Sequence, residues 1–300
     1  MFAHRAFTKI TVNARACLAS LWLLTLPVTD ASAQGQAQRG NDPEVVKQQK
    51  IYRSQGEEVP RGYVVMRGLS HYAELLPAGF EQALKKLGPD DRWLDIGAGS
   101  GQAVLDYYAP GYLPPRHNSW TPGSGRARVV AVSIEDRRTK VWDRETERLT
   151  EDRVRYLFGK RLREYAKEEL GTFQLITDVY GGFSYTDELS KFMEKVLGFL
   201  AVDGSFYTLL QSVKLEDGRD DPGTTYYLTE LVDPAGRDVK VCSWLKSIAC
   251  VEVSCESHSD WDTPTELIRV RKVCDAVSVP AVSRLNYEAG TPPGRRFQLQ

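Results

Sequence analysis

The sequence predicts an α/β fold, in which short buried strands alternate with helices that cover both faces of a sheet. The segment "WLDIGAGSG" at 93–101 joins a short apolar strand to a turn with three glycines, and the helix-forming "QAVLDYY" follows it. Continuous apolar segments at 128–136 and 173–185 also have strand character. After them, apolar residues recur at helical spacing, at Leu189, Phe192, Val196, Leu197 and Leu200. Strands that alternate with helices in this way indicate a mostly parallel sheet.

The size and charge of the chain are those of an ordinary globular protein. It has 300 residues, of which 42% are apolar, and this is enough for one substantial core. The 39 basic and 40 acidic residues give a net charge of −1 and are interspersed along the chain. This balance argues against nucleic acid or an anionic surface as the main partner.

The N-terminus has the features of a secretory signal peptide. "MFAHRAFTKITVNAR" carries basic residues and no acid, the apolar stretch "ACLASLWLLTL" follows, and Ala31-Ser32-Ala33 supplies the small residues of a cleavage site. The apolar stretch is shorter than the about 20 residues that a membrane span needs. We therefore expect cleavage after Ala33 and a periplasmic or secreted protein with no stable transmembrane span. A mis-assigned start codon would instead leave the protein cytoplasmic.

The cysteines that follow the signal peptide all lie in the last quarter of the chain, at Cys242, Cys250, Cys255 and Cys274. Their gaps do not form the C-x-x-C pairs of a zinc site, and we expect no bound metal. An even number fits disulfides in an oxidising compartment. If "ACVEVSC" and "ELIRVRKVC" form an antiparallel hairpin, Cys250 lies close to Cys274. Cys242 and Cys255 are then the remaining pair.

The glycines Gly97, Gly99 and Gly101 predict a ligand site after the first strand. Glycine allows a positive φ and lets a ligand approach the backbone without a Cβ in the way. The helix that follows presents free N–H groups and a partial positive charge at its start. In an open parallel sheet, ligands bind at the carboxyl ends of the strands. Gln102 stands where the dinucleotide fingerprint G-x-G-x-x-G requires its third glycine, which argues against a nucleotide-dependent oxidoreductase.

The segment "LDIGAGSG" at 94–101 resembles motif I of class I S-adenosylmethionine-dependent methyltransferases, in which an apolar residue, Asp and a second apolar residue precede G-x-G-x-G. The resemblance extends over roughly 70–275. It implies a Rossmann-like methyltransferase fold, with a seven-stranded, mostly parallel sheet and an antiparallel terminal hairpin. The expected strands lie at 93–96, 128–136, 153–160, 173–185 and 205–213, with the hairpin at 251–257 and 266–273.

The signal peptide, the polar Gln-rich segment that follows it and the family resemblance together set the expected organisation of the chain. Four segments are expected: a signal peptide at 1–33, a flexible N-terminal extension at 34–69, the methyltransferase domain at 70–283 and a C-terminal tail at 284–300. Within the domain we expect one helix whose apolar face carries Leu75, Leu76, Phe80, Leu84 and Leu87 and which ends at Gly88-Pro89. A turn is expected at Asp203-Gly204. The proline-rich insertion "APGYLPPRHNSWTPGSGR" is either a substrate loop or surface decoration.

The resemblance also implies the residues that hold S-adenosyl-L-methionine, the methyl donor. They are Asp95, Gly97, Ala98, Gly99, Gly101, Glu135 and Asp178. It places Asp95 near the amino-acid end of the donor. Glu135 takes the role of the ribose-binding acid of the second strand, although Ser133 occupies that position in the direct alignment. Lys160 stands where an acid often binds the adenine amine, so adenine recognition falls to backbone groups.

The function that follows is methyl transfer from S-adenosyl-L-methionine to an unidentified acceptor, expected to be a small molecule. A methyl sulfonium is reactive, so such an enzyme mainly aligns the acceptor, and a general base is optional. Asp178 is the candidate catalytic residue, with a structural role in its turn as the alternative. Its context "DVYGG" lacks the two prolines of enzymes that methylate nucleic-acid bases, which argues against that acceptor. A non-catalytic ligand-binding protein of the same fold and an oxidoreductase remain as alternatives.

Overall fold

The computed structural model describes residues 67–108, 125–150, 152–211, 229–258, 264–285 and 295–300. The predicted signal peptide, nearly all of the expected N-terminal extension and most of the proline-rich insertion lie outside these ranges. Among the helices that the structure describes, none is long and apolar enough to cross a membrane. The described residues therefore belong almost entirely to the expected methyltransferase domain and to the end of the chain.

Two β-sheets are present in the described residues. Their strands are β1 Arg92–Ile96, β2 Arg128–Val132, β3 Val154–Leu157, β4 Phe173–Asp178, β5 Leu200–Gln211, β6 Thr229–Val232, β7 Val251–His258, β8 Thr265–Lys272, β9 Val282–Leu285 and β10 Arg295–Leu299. The larger sheet has the order β3-β2-β1-β4-β5-β8-β7. Its first five strands are parallel, whereas β8 is antiparallel to both β5 and β7. This confirms the predicted seven-stranded sheet with an antiparallel terminal hairpin.

Helices cover both faces of the larger sheet. They are α1 Leu69–Leu75, α2 Phe80–Lys86, α3 Gln102–Tyr108, α4 Lys140–Thr146, α5 Lys167–Leu170, α6 Gly182–Tyr185, α7 Leu189–Phe199 and α8 Val241–Lys246. Successive strand residues point to opposite faces, so Trp93 packs with α1, α2 and α3 while Leu94 packs with α7 and α8. Both side chains are fully buried. The two apolar cores hold the carboxyl ends of the parallel strands in place.

The single helix expected to carry Leu75 through Leu87 is wrong, because the structure divides it into α1 and α2. Leu76 is extended, with φ −115° and ψ 155°, as is usual before a proline. Pro77 has no N–H to continue the helix, and its ring disfavours a helical preceding turn. Gly79 then has a φ of 97° and starts α2 in a new direction. The apolar residues on the two helices still face the same core.

The turn expected at 203–204 lies inside β5 rather than before it. The strand already begins at Leu200, and its register with β4 shifts between Phe173 and Leu175. Asp203 has a φ of 66°, in the left-handed region that side chains disfavour. The change of direction is therefore a β-bulge within β5, and a bulge of this kind bends the strand that carries it.

The smaller sheet, with the order β6-β10-β9, was not predicted from the sequence. Its residues Leu231 and Phe297 belong to the core on the α7 side. Arg295 on β10 is 3% exposed, and its guanidinium donates to the carbonyl of Thr186 at 2.7 Å and to the hydroxyl of Thr229 at 2.6 Å. Burial lowers the pKa of Arg295 to about 9. The end of the expected C-terminal tail is thereby tied to the loop that follows α6.

Both predicted cysteine pairs lie at bonding distance in the structure. The Cα atoms of Cys250 and Cys274 are 5.1 Å apart, and those of Cys242 and Cys255 are 6.4 Å apart. Both separations fall in the range that disulfides span. The first pair closes the β7–β8 hairpin, and the second joins α8 to β7.

We expect two disulfides, Cys250–Cys274 and Cys242–Cys255, in protein taken from its native compartment, because both pairs are already positioned for bonding. Peptide mapping without reduction measures which cysteine peptides are linked. A map with Cys250 linked to Cys255 would contradict the hairpin geometry, and free thiols throughout would contradict an oxidising location.

Candidate functional site

The glycine turn lies between β1 and α3, at the carboxyl edge of the larger sheet. Gly97, Gly99 and Gly101 have φ angles of 74°, 56° and 77°, all in the region that favours glycine. The N–H groups of Gly97 and Ala98 donate to the carbonyl of Val132, at 2.8 Å and 3.1 Å. The turn is therefore anchored to the end of β2, beside the first strand.

The glycines of this turn are also required by close packing. A Cβ at Gly97 would lie 2.5 Å from the Cα of Gly181, and a Cβ at Gly181 would lie 2.5 Å from the carbonyl of Ile96. A Cβ at Gly101 would overlap the ring of Trp142. The loops after β1 and β4 thus meet at the carboxyl edge, where a doubly wound sheet binds its ligands.

Asp95 lies at the end of β1 and is fully buried. The Tyr72 hydroxyl donates to its two oxygens, at 2.9 Å and 3.1 Å, and the Thr177 hydroxyl donates to Oδ1 at 2.7 Å. The Trp93 indole in turn donates to the Thr177 hydroxyl at 2.8 Å. Burial raises the pKa of Asp95 to about 7, against the lowering effect of the Thr177 and Tyr72 hydrogen bonds. The carboxyl group is therefore held in one orientation and titrates near neutral pH.

Asp178 lies at the end of β4 and is equally buried. Its Oδ1 accepts the N–H of Gly181 at 2.8 Å, and its Oδ2 accepts the N–H of Phe183 at 2.9 Å. Burial raises the pKa of Asp178 to about 7, against the lowering effect of these two hydrogen bonds. Both oxygens are thus occupied in holding the turn that starts α6. This favours the structural alternative for Asp178 over a catalytic role.

Glu135 lies in the loop after β2, close to the glycine turn. Tyr156 on β3 joins the two, because its hydroxyl donates to the carbonyl of Gly99 and accepts the N–H of Arg137 at 3.4 Å. The Glu135 carboxylate forms an ion pair with the Arg137 guanidinium. The structure therefore brings Glu135 next to the turn, with its charge already shared with an arginine.

Tyr180, in the turn after β4, borders the same edge. It has a φ of 53°, which is unusual for a residue with a side chain. The Arg67 guanidinium lies 4.7 Å from the centre of its ring, and the Gln211 amide donates to its hydroxyl at 3.2 Å. The phenol is therefore held in place from both ends, next to Gly181.

The residues around the turn fit a small ligand that approaches the backbone. The Ser100 hydroxyl oxygen is buried and has no hydrogen-bond partner in the part of the chain that the structure describes. Gly99 leaves no Cβ on the turn beside it, whereas the space next to Gly97 is filled by Gly181. An orphaned polar atom next to bare backbone is a feature that a bound ligand would satisfy.

Three residues of this site were missed by sequence reasoning: Tyr72, Thr177 and Tyr156. The contact of Thr177 with Asp95 could have been predicted, because the two residues pair directly in the register of β1 and β4. Aligning the two parallel strands places its hydroxyl beside the acid. Tyr72 and Tyr156 come from other elements, and nothing local in the sequence marks them.

No protein-family model matches the chain, and no curated protein is detectably similar to it. Several solved structures are similar at low identity. The 1,6-didemethyltoxoflavin-N1-methyltransferase of Burkholderia thailandensis, solved with 1,6-didemethyltoxoflavin and S-adenosylhomocysteine, is 16% identical with a TM-score of 0.47, covering 83% of this chain and 93% of that one. Phosphoethanolamine N-methyltransferase 2 of Haemonchus contortus, solved with S-adenosyl-L-methionine, is 13% identical with a TM-score of 0.43, covering 66% and 53%. Geranyl diphosphate C-methyltransferase of Streptomyces coelicolor A3(2) is 21% identical with a TM-score of 0.34, covering 48% and 47%.

Scores this low identify no acceptor, and the fold follows from the strands of the chain itself. The order is β3-β2-β1-β4-β5-β8-β7, and β8 alone runs against the other strands. The glycine turn of "LDIGAGSG" follows β1 at the carboxyl edge of this sheet. Both features are those that the resemblance of this motif implies. The chain therefore has the Rossmann-like fold of class I S-adenosylmethionine-dependent methyltransferases.

Proposed function

We propose that the protein transfers a methyl group from S-adenosyl-L-methionine to a small-molecule acceptor. The observation that carries the proposal is the glycine turn at the carboxyl end of β1, packed against the turn after β4. A turn of this shape exposes backbone to a ligand at the one edge of the sheet where ligands bind. The motif that forms the turn is the donor-binding motif of the methyltransferases it resembles.

The donor would be held by the backbone of Gly97, Ala98, Gly99 and Gly101. Asp95 is fully buried and would act on the donor's amino-acid end through the turn rather than by direct contact. Glu135 would contact the ribose, in exchange for part of its ion pair with Arg137. When bound, S-adenosyl-L-methionine supplies an electrophilic methyl group. The chain's own part is to orient the two reactants and exclude water, since alignment is the larger share of catalysis in such a displacement.

Asp178 is not the general base in this proposal. Both of its oxygens accept backbone N–H groups, and the side chain has no exposed surface. A carboxylate engaged in this way has no free position within reach of an acceptor proton. Asp178 acts instead by shaping the turn that packs on Gly97.

Calorimetric titration of the purified protein with S-adenosyl-L-methionine, S-adenosylhomocysteine and NAD tests the proposal. We expect saturable binding of the first two and none of NAD. Binding of NAD alone would support an oxidoreductase and overturn the proposal. A protein that binds the donor but transfers no labelled methyl group to any component of envelope extracts would be the non-catalytic form of the same fold.

The location of the protein is a proposal as well, because its evidence lies in residues 1–33, outside the described part. We expect N-terminal sequencing of the purified protein to begin at Gln34, from the Ala31-Ser32-Ala33 site. The two cysteine pairs at bonding distance support export. An intact Met1 in a soluble cytoplasmic fraction would contradict it.

A further inference from the structure

Three arginines lie side by side at the amino end of the larger sheet. Arg92 and Arg128 begin β1 and β2, and they are direct neighbours in the parallel register. Val130, two residues after Arg128, pairs with Arg155 of β3. Side chains alternate between faces every residue, and paired residues share a face. Arg92, Arg128 and Arg155 therefore project from the same face of three adjacent strands, and we call them the arginine row.

Arg92 is held in place within this row. Its guanidinium lies 4.6 Å from the centre of the Phe173 ring. The backbone of Gly171 approaches it so closely that a Cβ there would collide with Nη1. Arg92 is half-buried, whereas Arg128 and Arg155 are exposed. One cation of the row is thus pre-oriented, and the other two are free to adjust around it.

The charge of the arginine row is not balanced by acids in the described residues. No ion pair joins a described carboxylate to Arg92, Arg128 or Arg155. The carboxylate of Asp91, next in sequence to Arg92, accepts the N–H of Gly88 instead. The pKa of Arg92 is lowered first by burial and then by the charges of Arg155 and Arg128. The charged side chains that shift this pKa are therefore of the same sign as Arg92.

Packing alone does not account for this arrangement. An arginine stem often covers apolar surface, and Arg92 on Phe173 fits that explanation. It does not explain why Arg128 and Arg155 stand beside it, since like charges on neighbouring strands destabilise a sheet. A bound oxyanion would offset the repulsion, because guanidinium groups donate paired N–H bonds to phosphate oxygens.

We propose that the arginine row is a binding site for a phosphate group. It lies at the amino ends of β1, β2 and β3, at the opposite edge of the sheet from the glycine turn, and so is separate from the donor site. The net charge of the chain is −1, so general attraction for anions does not produce the binding. Binding would depend on the three guanidinium groups of the arginine row lying close together. This proposal does not rest on the methyltransferase proposal.

The test is calorimetric titration of the purified protein with inorganic phosphate at low ionic strength. We expect saturable binding that Arg128→Gln and Arg155→Gln each weaken at least fivefold, and that the double variant abolishes. Lys246→Gln is the matched control, because Lys246 is exposed on α8, which packs against the other end of the sheet. It should bind phosphate as the unchanged protein does. Phosphate should also raise the unfolding temperature of the unchanged protein and not that of the double variant.

A second arm identifies the source of the phosphate group. Co-sedimentation with phosphatidylglycerol vesicles, against phosphatidylcholine vesicles, distinguishes a lipid headgroup from a free ion. Vesicle binding that the double variant loses supports a headgroup, and binding of the free ion alone supports a soluble phosphate ligand. Absence of binding in both arms, or binding that the double variant keeps, would overturn the proposal. Arg128 and Arg155 are exposed, so the variants are expected to fold.

Discussion

Replacement of Gly99 by valine is expected to weaken binding of S-adenosyl-L-methionine at least tenfold, which corresponds to about 1.4 kcal/mol or more. Gly99 has a φ of 56°, a conformation in which a β-branched residue is a true outlier. The valine side chain would also stand where the proposed donor approaches the backbone of the turn. Calorimetric titration of the unchanged protein and the Gly99→Val variant measures the effect.

Gly236→Val is the matched control for Gly99→Val. Gly236 has a φ of 78°, and a Cβ there would meet no atom within 4 Å. Both variants carry a similar backbone strain, about 1–2 kcal/mol, but only Gly99→Val places a side chain in the glycine turn. We expect both to lose thermal stability and only Gly99→Val to lose the donor. If folded Gly99→Val binds the donor as tightly as the unchanged protein, the turn is not the donor site.

The parallel part of the fold was predictable because its signals are local. Each strand is a short apolar segment, and the glycine turn joins the first of them to a helix over nine consecutive residues, 93–101. The smaller sheet has no such signal. Its strands are four or five residues long, and Arg295 on β10 meets Thr229 on β6 across 66 residues of sequence. Pairing over that distance leaves no periodic pattern to find.

The site was predictable only as far as the backbone motif reaches. The glycines and Asp95 form one pattern, and the structure places them together at the end of β1. The orientation of the Asp178 side chain could not be predicted. An acid at the end of a strand gives the same sequence pattern whether its carboxylate faces a cleft or accepts N–H groups of the turn that follows. Here Gly181, three residues later, donates to it, as Asp often arranges in turns. Orientation of a side chain is a matter of tertiary packing, which a single sequence does not record.

The Asp95→Asn substitution is expected to weaken donor binding while it raises the stability of the protein at alkaline pH. We expect the donor affinity to fall roughly tenfold to a hundredfold. The amide is nearly isosteric with the carboxylate but lacks the charge proposed to act through the turn on the donor's ammonium group. We take the effect to be that of a hydrogen bond to a charged group, about 1.5–3 kcal/mol. The pKa of Asp95 is about 7. Donor affinity of the unchanged protein should therefore rise as the pH increases through neutrality, while that of the variant stays flat. Titrations at several pH values measure both.

The same substitution should stabilise the protein at alkaline pH. Folding raises the pKa of Asp95 from 3.8 to about 7, so the folded state holds this proton more tightly and stability falls as the pH rises between these values. Above neutral pH, ionisation of the buried carboxyl lowers the free energy of unfolding of the unchanged protein by on the order of 4 kcal/mol. Asp95→Asn avoids this loss, but its unpaired amide N–H costs about 1–3 kcal/mol. We expect Asp95→Asn to exceed the unchanged protein by about 1–3 kcal/mol in free energy of unfolding above neutral pH, with the difference shrinking toward acid.

Asp178→Asn is the matched control, because Asp178 has the same burial and pKa but accepts two backbone N–H groups. Its amide would face one of those fixed backbone donors, whereas the hydroxyls around Asp95 can reorient, so Asp178→Asn should be the less stable of the two variants at every pH. An Asp95→Asn variant that loses stability as the pH rises, relative to the unchanged protein, would show that Asp95 is ionised throughout.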